Sequence, residues 1–252
     1  MENKNFVLRA ADRGFNHFVS TGDASSYISG HPDGMLSRHS SFNFGPWQDG
    51  IAGFGRVRVF GDEVFSGAGC GYNMHPHHDF IICAFVLEGQ LTHINTVGNV
   101  DQLSPGDFYA FSAGSGGKHC EVNLRHEDMK VIYIWMLPDQ LLLPPSYSRA
   151  HFNPLQHRNR LTTLVGHADG ALRVSQRVRV SRFVSDQPTA IDYMTAASGN
   201  GVYVFVIEGS LECDDTLLGR RDSAGIWGAE RLRLRLRSGR EPADVLIVES
   251  AP

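Results

Sequence analysis

Twenty-seven glycines divide this chain into short apolar runs. No segment longer than about 12 residues carries the 3.6-residue apolar stripe of a helix. That punctuation constrains the fold more than any other feature. The stretch "GRVRVFG" (Gly55 to Gly61) alternates and is expected to end in a turn. The stretch "FIICAFVLEGQLTHI" reads as a strand, a turn at Glu88-Gly89 and a second strand. In "TVGNVDQLSPGDFYAFSAG", turn signals fall at Gly98-Asn99 and at Pro105-Gly106-Asp107. "MKVIYIWML" and "ADVLIVES" are β-branched or aromatic, as buried strands are. "RLRLRLR" (Arg231 to Arg237) alternates strictly, with leucines on one face and arginines on the other. Many short strands with regular turns predict an all-β barrel or sandwich.

An internal echo refines this. "AFVLEGQL" (Ala84 to Leu91) returns as "VFVIEGSL" (Val204 to Leu211), each with a strand on either side of Glu-Gly. In a chain of 252 residues the echo predicts two β-domains of one type. The Pro-rich, polar stretch between them, residues 138–160, reads as a linker. The expected domains are therefore 1–137 and 161–252. Hydrophobic residues make up 42% and charged residues 20% of the chain, an ordinary globular mix. A net charge of −4 argues against direct nucleic-acid binding. No apolar run approaches the roughly 20 residues of a membrane span. The start, "MENKNFVLRAADRG", lacks the apolar core of a secretory signal, and the four cysteines form no C-x-x-C. A reducing, cytoplasmic setting with free thiols is the expectation.

The histidines separate the halves. All twelve lie at or before His167, so an imidazole metal site must belong to the first half. In "NMHPHHDF", His75 and His77 are two apart and would share one face of a strand. In "GGKHCEVN", His119 and Glu121 share a face for the same reason. If the two strands face one another in a barrel, three imidazoles and a carboxylate converge. Such a mixed set suits Fe, Mn, Co, Ni, Cu or Zn, with positions left open for substrate. His78 should point away, and Asp79 reads as a solvated strand-end residue. Two placements are open for His93: beside the pocket, or on the surface. His17, His31, His39, His126, His151, His157 and His167 have no partner at ligand spacing and read as surface or structural. Cys120 should point away from its neighbours and pack in the core.

These residues resemble the N-terminal half of the pirin family, members of the cupin superfamily. The resemblance rests on "GCGYNMHPHHDF", "VLEGQLTH", "LSPGDFYAFSAGSGGKHCEVN" and the earlier "DRGF", "SSFNFGPW" and "FGRVRVFGDEVFSGAGCG". It implies two cupin barrels (double-stranded β-helix, or jelly-roll, domains) in tandem. One metal, usually iron, would sit in the N-terminal barrel on residues matching His75, His77, His119 and Glu121, and the C-terminal barrel would lack one. It also implies one of two functions. Some members are quercetin 2,3-dioxygenases; others are regulatory proteins that bind partner proteins. The chain departs from the pattern where R-x-x-E follows H-P-H, since His78 and Ile81 stand at the Arg and Glu positions. Asn95 likewise replaces the acid of H-x-D-S. Ile81 is expected to make the pocket wall more apolar.

In the enzyme reading, the partners are dioxygen and a small aromatic substrate with an enol or phenol oxygen. The metal would hold the deprotonated oxygen. Glu121 would be a ligand and also the base that takes the hydroxyl proton. Phe80, Ile82, Phe111 and His93 are the pocket candidates. In the binding reading, a protein partner docks outside the barrel, and the arginine face of "RLRLRLR" is available for it. The simpler role of that face is a solvated edge or outer strand.

Overall fold

The strands predicted from period-2 alternation form, and they pair antiparallel throughout. The structure, a computed structural model, describes residues 4–21, 27–29, 34–237 and 242–252. His31 lies outside the described residues. Two units result. One comprises residues 14–53 and 57–152; the other comprises the segment up to Arg13, Phe54–Arg56 and Asn153–Pro252.

In the first unit the described residues form two sheets. The larger runs Ser146–His151, Asp107–Ser112, Ile81–Glu88, Met129–Met136, Val57–Ser66, Met35–Ser40, Gly14–Val19. The smaller runs Ile28–Ser29, Cys70–His77, Gly117–Asn123, Leu91–Asn95, Val100–Leu103. Alternate residues of each strand fill the space between. Leu36, Phe65, Ile82, Ala84, Val86 and Val131 from the larger sheet meet Cys70, Tyr72, Leu91 and Leu103 from the smaller. The second unit repeats the plan, with Phe183, Val202, Val204, Val245 and Ile247 facing Leu211, Leu218, Leu232, Leu234 and Leu236. This is the tandem all-β cupin architecture that the strand pattern and the resemblance imply. The echo is structural as well. Ala84–Leu91 and Val204–Leu211 each place a central strand before a glycine at positive φ, 72° at Gly89 and 77° at Gly209.

The structure departs from the sequence reading in three places. The first is residues 138–160, which are not a free linker. Ser146–His151 pairs along its length with Asp107–Ser112 at the margin of the first unit. An edge strand has one bonded neighbour and little burial, so its composition stays polar. The second is the N-terminus: Phe6–Leu8 pairs with Ser223–Gly225 and belongs to the C-terminal unit. The third is Gly61, which makes no turn but lies inside the strand Val57–Ser66. A Cβ there would come within 2.8 Å of Glu63 Oε1 and 3.2 Å of Arg38 Nε. Glycine at this point makes room for a buried ion pair.

The arginines of "RLRLRLR" are solvent-facing, as expected, but their strand is flanked on both sides, by Thr189–Met194 and Ser210–Cys213. Arg231 and Arg233 pair with Asp192, and Arg235 and Arg237 with Glu212. The face is thus internally compensated. Among the described residues no helix is long and apolar enough to cross a membrane.

Candidate metal centre

The strand Gly117–Asn123 sits between Cys70–His77 and Leu91–Asn95 in the smaller sheet. Register then assembles the site. His119 lies directly opposite His75, and Glu121 directly opposite His93. His77 is two residues beyond His75, so it shares its face. The register shifts between His119 and Glu121, where a bulge on the partner strand sets Asn73 and Met74 against Cys120 alone. That bulge lets Tyr72 and His75 both face inward despite their odd spacing. It also brings the carbonyl of Asn73 within 2.7 Å of His75 Nδ1.

The three rings of His75, His77 and His119 lie with centroids 4.5–4.9 Å apart. One ligand atom from each falls within 4.8 Å of the others. All three Nε2 atoms are buried and have no hydrogen-bond partner among the described residues. Buried polar atoms are nearly always paired, so three converging orphans mark a place built for something that binds nitrogen lone pairs. His75 is committed to that role, because its Nδ1–H donates to Asn73 O and leaves Nε2 free. Burial pushes His77 down to about 4 and lowers His75 and His119 as well, His119 strongly. The rings are therefore neutral at ordinary pH, as metal ligands must be.

Glu121 is 3% exposed. Its Oε2 lies 3.6 Å from His119 Nε2, while Oε1 accepts a hydrogen bond from Tyr109. Burial pushes its carboxyl up to about 8, against the hydrogen bond from Tyr109, which lowers it. A cation held by the imidazoles would favour the carboxylate and oppose that rise. The donor set and its orphaned nitrogens fit a first-row metal.

His93, left open between pocket and surface, is fully buried, with Nε2 3.1 Å from His119 Nδ1. Its ring packs against Tyr147 and Tyr109 at 5.0 and 4.3 Å. Phe111, also fully buried, lies against the rings of His119 and His93. Ile82 points into the same core, and Phe80 packs at its margin. Ile81 does not line the site. Ile82, Ala84 and Val86 face the barrel core, so Ile81 projects from the opposite face of its strand. Asp79 is not solvated either: it adopts φ 62° and accepts the backbone N–H of Leu142 at 2.6 Å. Cys120 points away from its neighbours as expected, but it is half-buried rather than core.

Several site residues were not anticipated. Trp135 meets the edge of the His77 ring at 4.7 Å and also touches Phe80 and Phe44. Tyr109 donates to Glu121 Oε1. Behind His75 lies a charged network. Arg38 Nε donates to Glu63 Oε1 at 2.5 Å, and Tyr72 Oη donates to Glu63 Oε2 at 2.8 Å. The Arg38 guanidinium lies 3.7 Å from the centre of the Phe44 ring. The aromatic content of "GDFYAF" and "VIYIWM" was the one sequence signal for part of this set. Arg38 and Glu63 gave none.

Residues 35–136 match the family model for pirin, and residues 166–249 match that for the quercetinase C-terminal cupin domain. The chain belongs to the pirin family. It is 29% identical over 226 residues to quercetin 2,3-dioxygenase from Escherichia coli strain K12, covering 88% of this chain and 95% of that one. Crystal structures of YhhW from Escherichia coli share the fold at 25% identity. One matches with a TM-score of 0.84, covering 99% of this chain and 98% of that chain. Another, bacterial pirin YhhW in complex with nickel(II), matches with a TM-score of 0.83 and covers 99% and 100%.

Proposed function

We propose that the N-terminal barrel holds one divalent first-row metal on His75, His77, His119 and Glu121, and that the protein is a dioxygenase of small enolic or phenolic substrates, of the quercetinase type. The observation that carries this reading is the set of three buried, unpartnered Nε2 atoms converging beside a buried carboxylate. The relationship to quercetin 2,3-dioxygenase supports the reaction class.

When bound, the metal would supply positive charge that stabilises a deprotonated substrate oxygen. The chain's own residues do the rest. Glu121 Oε2, on the histidine side of the carboxylate, accepts the hydroxyl proton. Tyr109 holds Oε1 and so fixes which oxygen is free. His77 is only half-buried, and the side beside it is walled by Trp135, Phe80 and Phe44. These rings would hold a flat substrate and exclude water.

The test is dioxygen consumption by metal-loaded protein with flavonols and other catechol-like compounds. Turnover that disappears in folded His75→Ala supports the reading. Turnover that survives that substitution would sink it. The alternative, a metal-dependent protein that docks a partner through the arginine face, gains nothing from a face whose charges are matched within its own sheet.

A further inference from the structure

The tautomer of His119 decides whether it can be a ligand at all. Its Nε2 offers a lone pair toward His75 and His77 only if the proton sits on Nδ1. That Nδ1 lies 3.1 Å from Nε2 of His93. That distance and the alignment of the two rings are those of a hydrogen bond. One of the two rings therefore donates. If His93 donated, His119 would carry its proton on Nε2 and its lone pair would point away from the cluster.

We infer that His93 is the positioning residue for the metal site: its Nε2 accepts the Nδ1–H of His119 and so fixes the His119 tautomer and ring plane with Nε2 toward the metal. Three further observations support this. Nδ1 of His93 is buried with no protein partner among the described residues, so no competing bond dictates where that ring carries its proton. The His93 ring is held in place by Tyr147, near-parallel at 10°, and by Tyr109. His93 is also directly opposite Glu121 in register, so one neighbouring strand orients the ligands of the other. The arrangement parallels His75, whose Nδ1–H donates to a backbone carbonyl. Ligating histidines elsewhere lean on carboxylates, carbonyls or water for this purpose. Here an imidazole takes the part, and Asn95, beside His119 in register, supplies no acid. Rather than a pocket wall, His93 is the support behind a ligand. The inference rests on the metal reading above.

The full-length protein, labelled with nitrogen-15 histidine and loaded with Zn²⁺, tests it by long-range proton–nitrogen correlation. His119 should show a proton on Nδ1 and a zinc-shifted Nε2. His93 should show a proton on Nδ1 and no zinc shift at either nitrogen. His93→Leu should weaken Zn²⁺ in chelator competition roughly ten- to a hundred-fold and shift the visible bands of the Co²⁺-loaded protein. His93→Gln, which offers an amide oxygen as acceptor, should recover most of the affinity. A His93 proton on Nε2, or a His93 ring bound to zinc, overturns the inference. So does a Leu variant with parental affinity and spectrum, or a folded Gln variant as weak as Leu. Parent protein that binds no Zn²⁺ removes the metal reading and this inference together. Parent protein that binds zinc through His75, His77 and His119 with either failed variant pattern removes the inference alone.

Discussion

Metal affinity should climb as solutions become more alkaline across the neutral range, and Glu121 should be the reason. Its carboxyl is raised to about 8 by burial, so in the metal-free protein it carries a proton at neutral pH. Binding a cation must release that proton. A group titrating near 8 is about 1% ionised at pH 6 and half ionised at pH 8, so apparent affinity should rise roughly fifty-fold between them. Close to one proton should leave per metal at pH 7. The histidines contribute little to this slope, because burial keeps them neutral above about pH 6: His77 is lowered to about 4 and His93 to about 3. An ordinary solvent-exposed carboxyl would give a flat profile over the same range. Calorimetry with Zn²⁺ or Ni²⁺ in buffers of different ionisation enthalpy counts the protons directly. Glu121→Gln should bind more weakly and with no proton release. A flat affinity profile in the parent, or an unchanged slope in Glu121→Gln, would refute the reasoning.

Three further outcomes are expected. Arg38→Met should cost about 3–5 kcal/mol in denaturant unfolding, because it leaves the fully buried Glu63 charge without its partner; a loss under about 1 kcal/mol would show that Glu63 simply protonates at little cost. Gly71→Ala should weaken both stability, by about 1–3 kcal/mol, and metal affinity. Its Cβ would press on the Glu121 carbonyl and come within 2.6 Å of Val122 Cα, parting the two ligand-bearing strands, so parental Zn²⁺ affinity in this variant would argue against the register. The metal-free protein should lose stability on acidification. For a base whose folded pKa is depressed, the unfolded chain takes the proton first. The stability from His77 and His93 is thus complete above about 6.5 and falls, by up to about 1.4 kcal/mol per pH unit each, as pH drops toward 4. Thermal melts from pH 7 to pH 4 should show acid loss in the metal-free form and a steeper loss with Zn²⁺, because acid also weakens the metal; an acid-insensitive melting temperature in the metal-free form would contradict the buried, neutral rings.

Period-2 patterns made the candidate ligands readable. His75 with His77, and His119 with Glu121, announce shared faces without any knowledge of the fold. Gly89 and Gly209 likewise announced the repeated turn. What stayed hidden depends on pairing between distant strands. Nothing local says that His93 lies across from Glu121, so its role as a partner of His119 emerged only from register. Arg38 and Glu63 are ordinary charged letters on separate strands, and only their common burial makes them a pair. Gly61 looked like a turn because a strand glycine that yields space to an ion pair has no sequence signature. Ser146–His151 looked like a linker because an edge strand buries too little to need apolar alternation. Phe6–Leu8 is too short for its pattern to say which unit it completes. Ile81 was placed on the pocket wall by analogy of position, and strand alternation puts it on the other face.

The central claim is that one metal sits where the three orphaned imidazole nitrogens converge. Anomalous diffraction from crystals of tag-free protein loaded with Ni²⁺ tests it most directly. A single strong peak about 2.0–2.2 Å from Nε2 of His75, His77 and His119, with a Glu121 oxygen completing the set, is the expected result. A peak elsewhere, or none in the N-terminal barrel, would contradict the account.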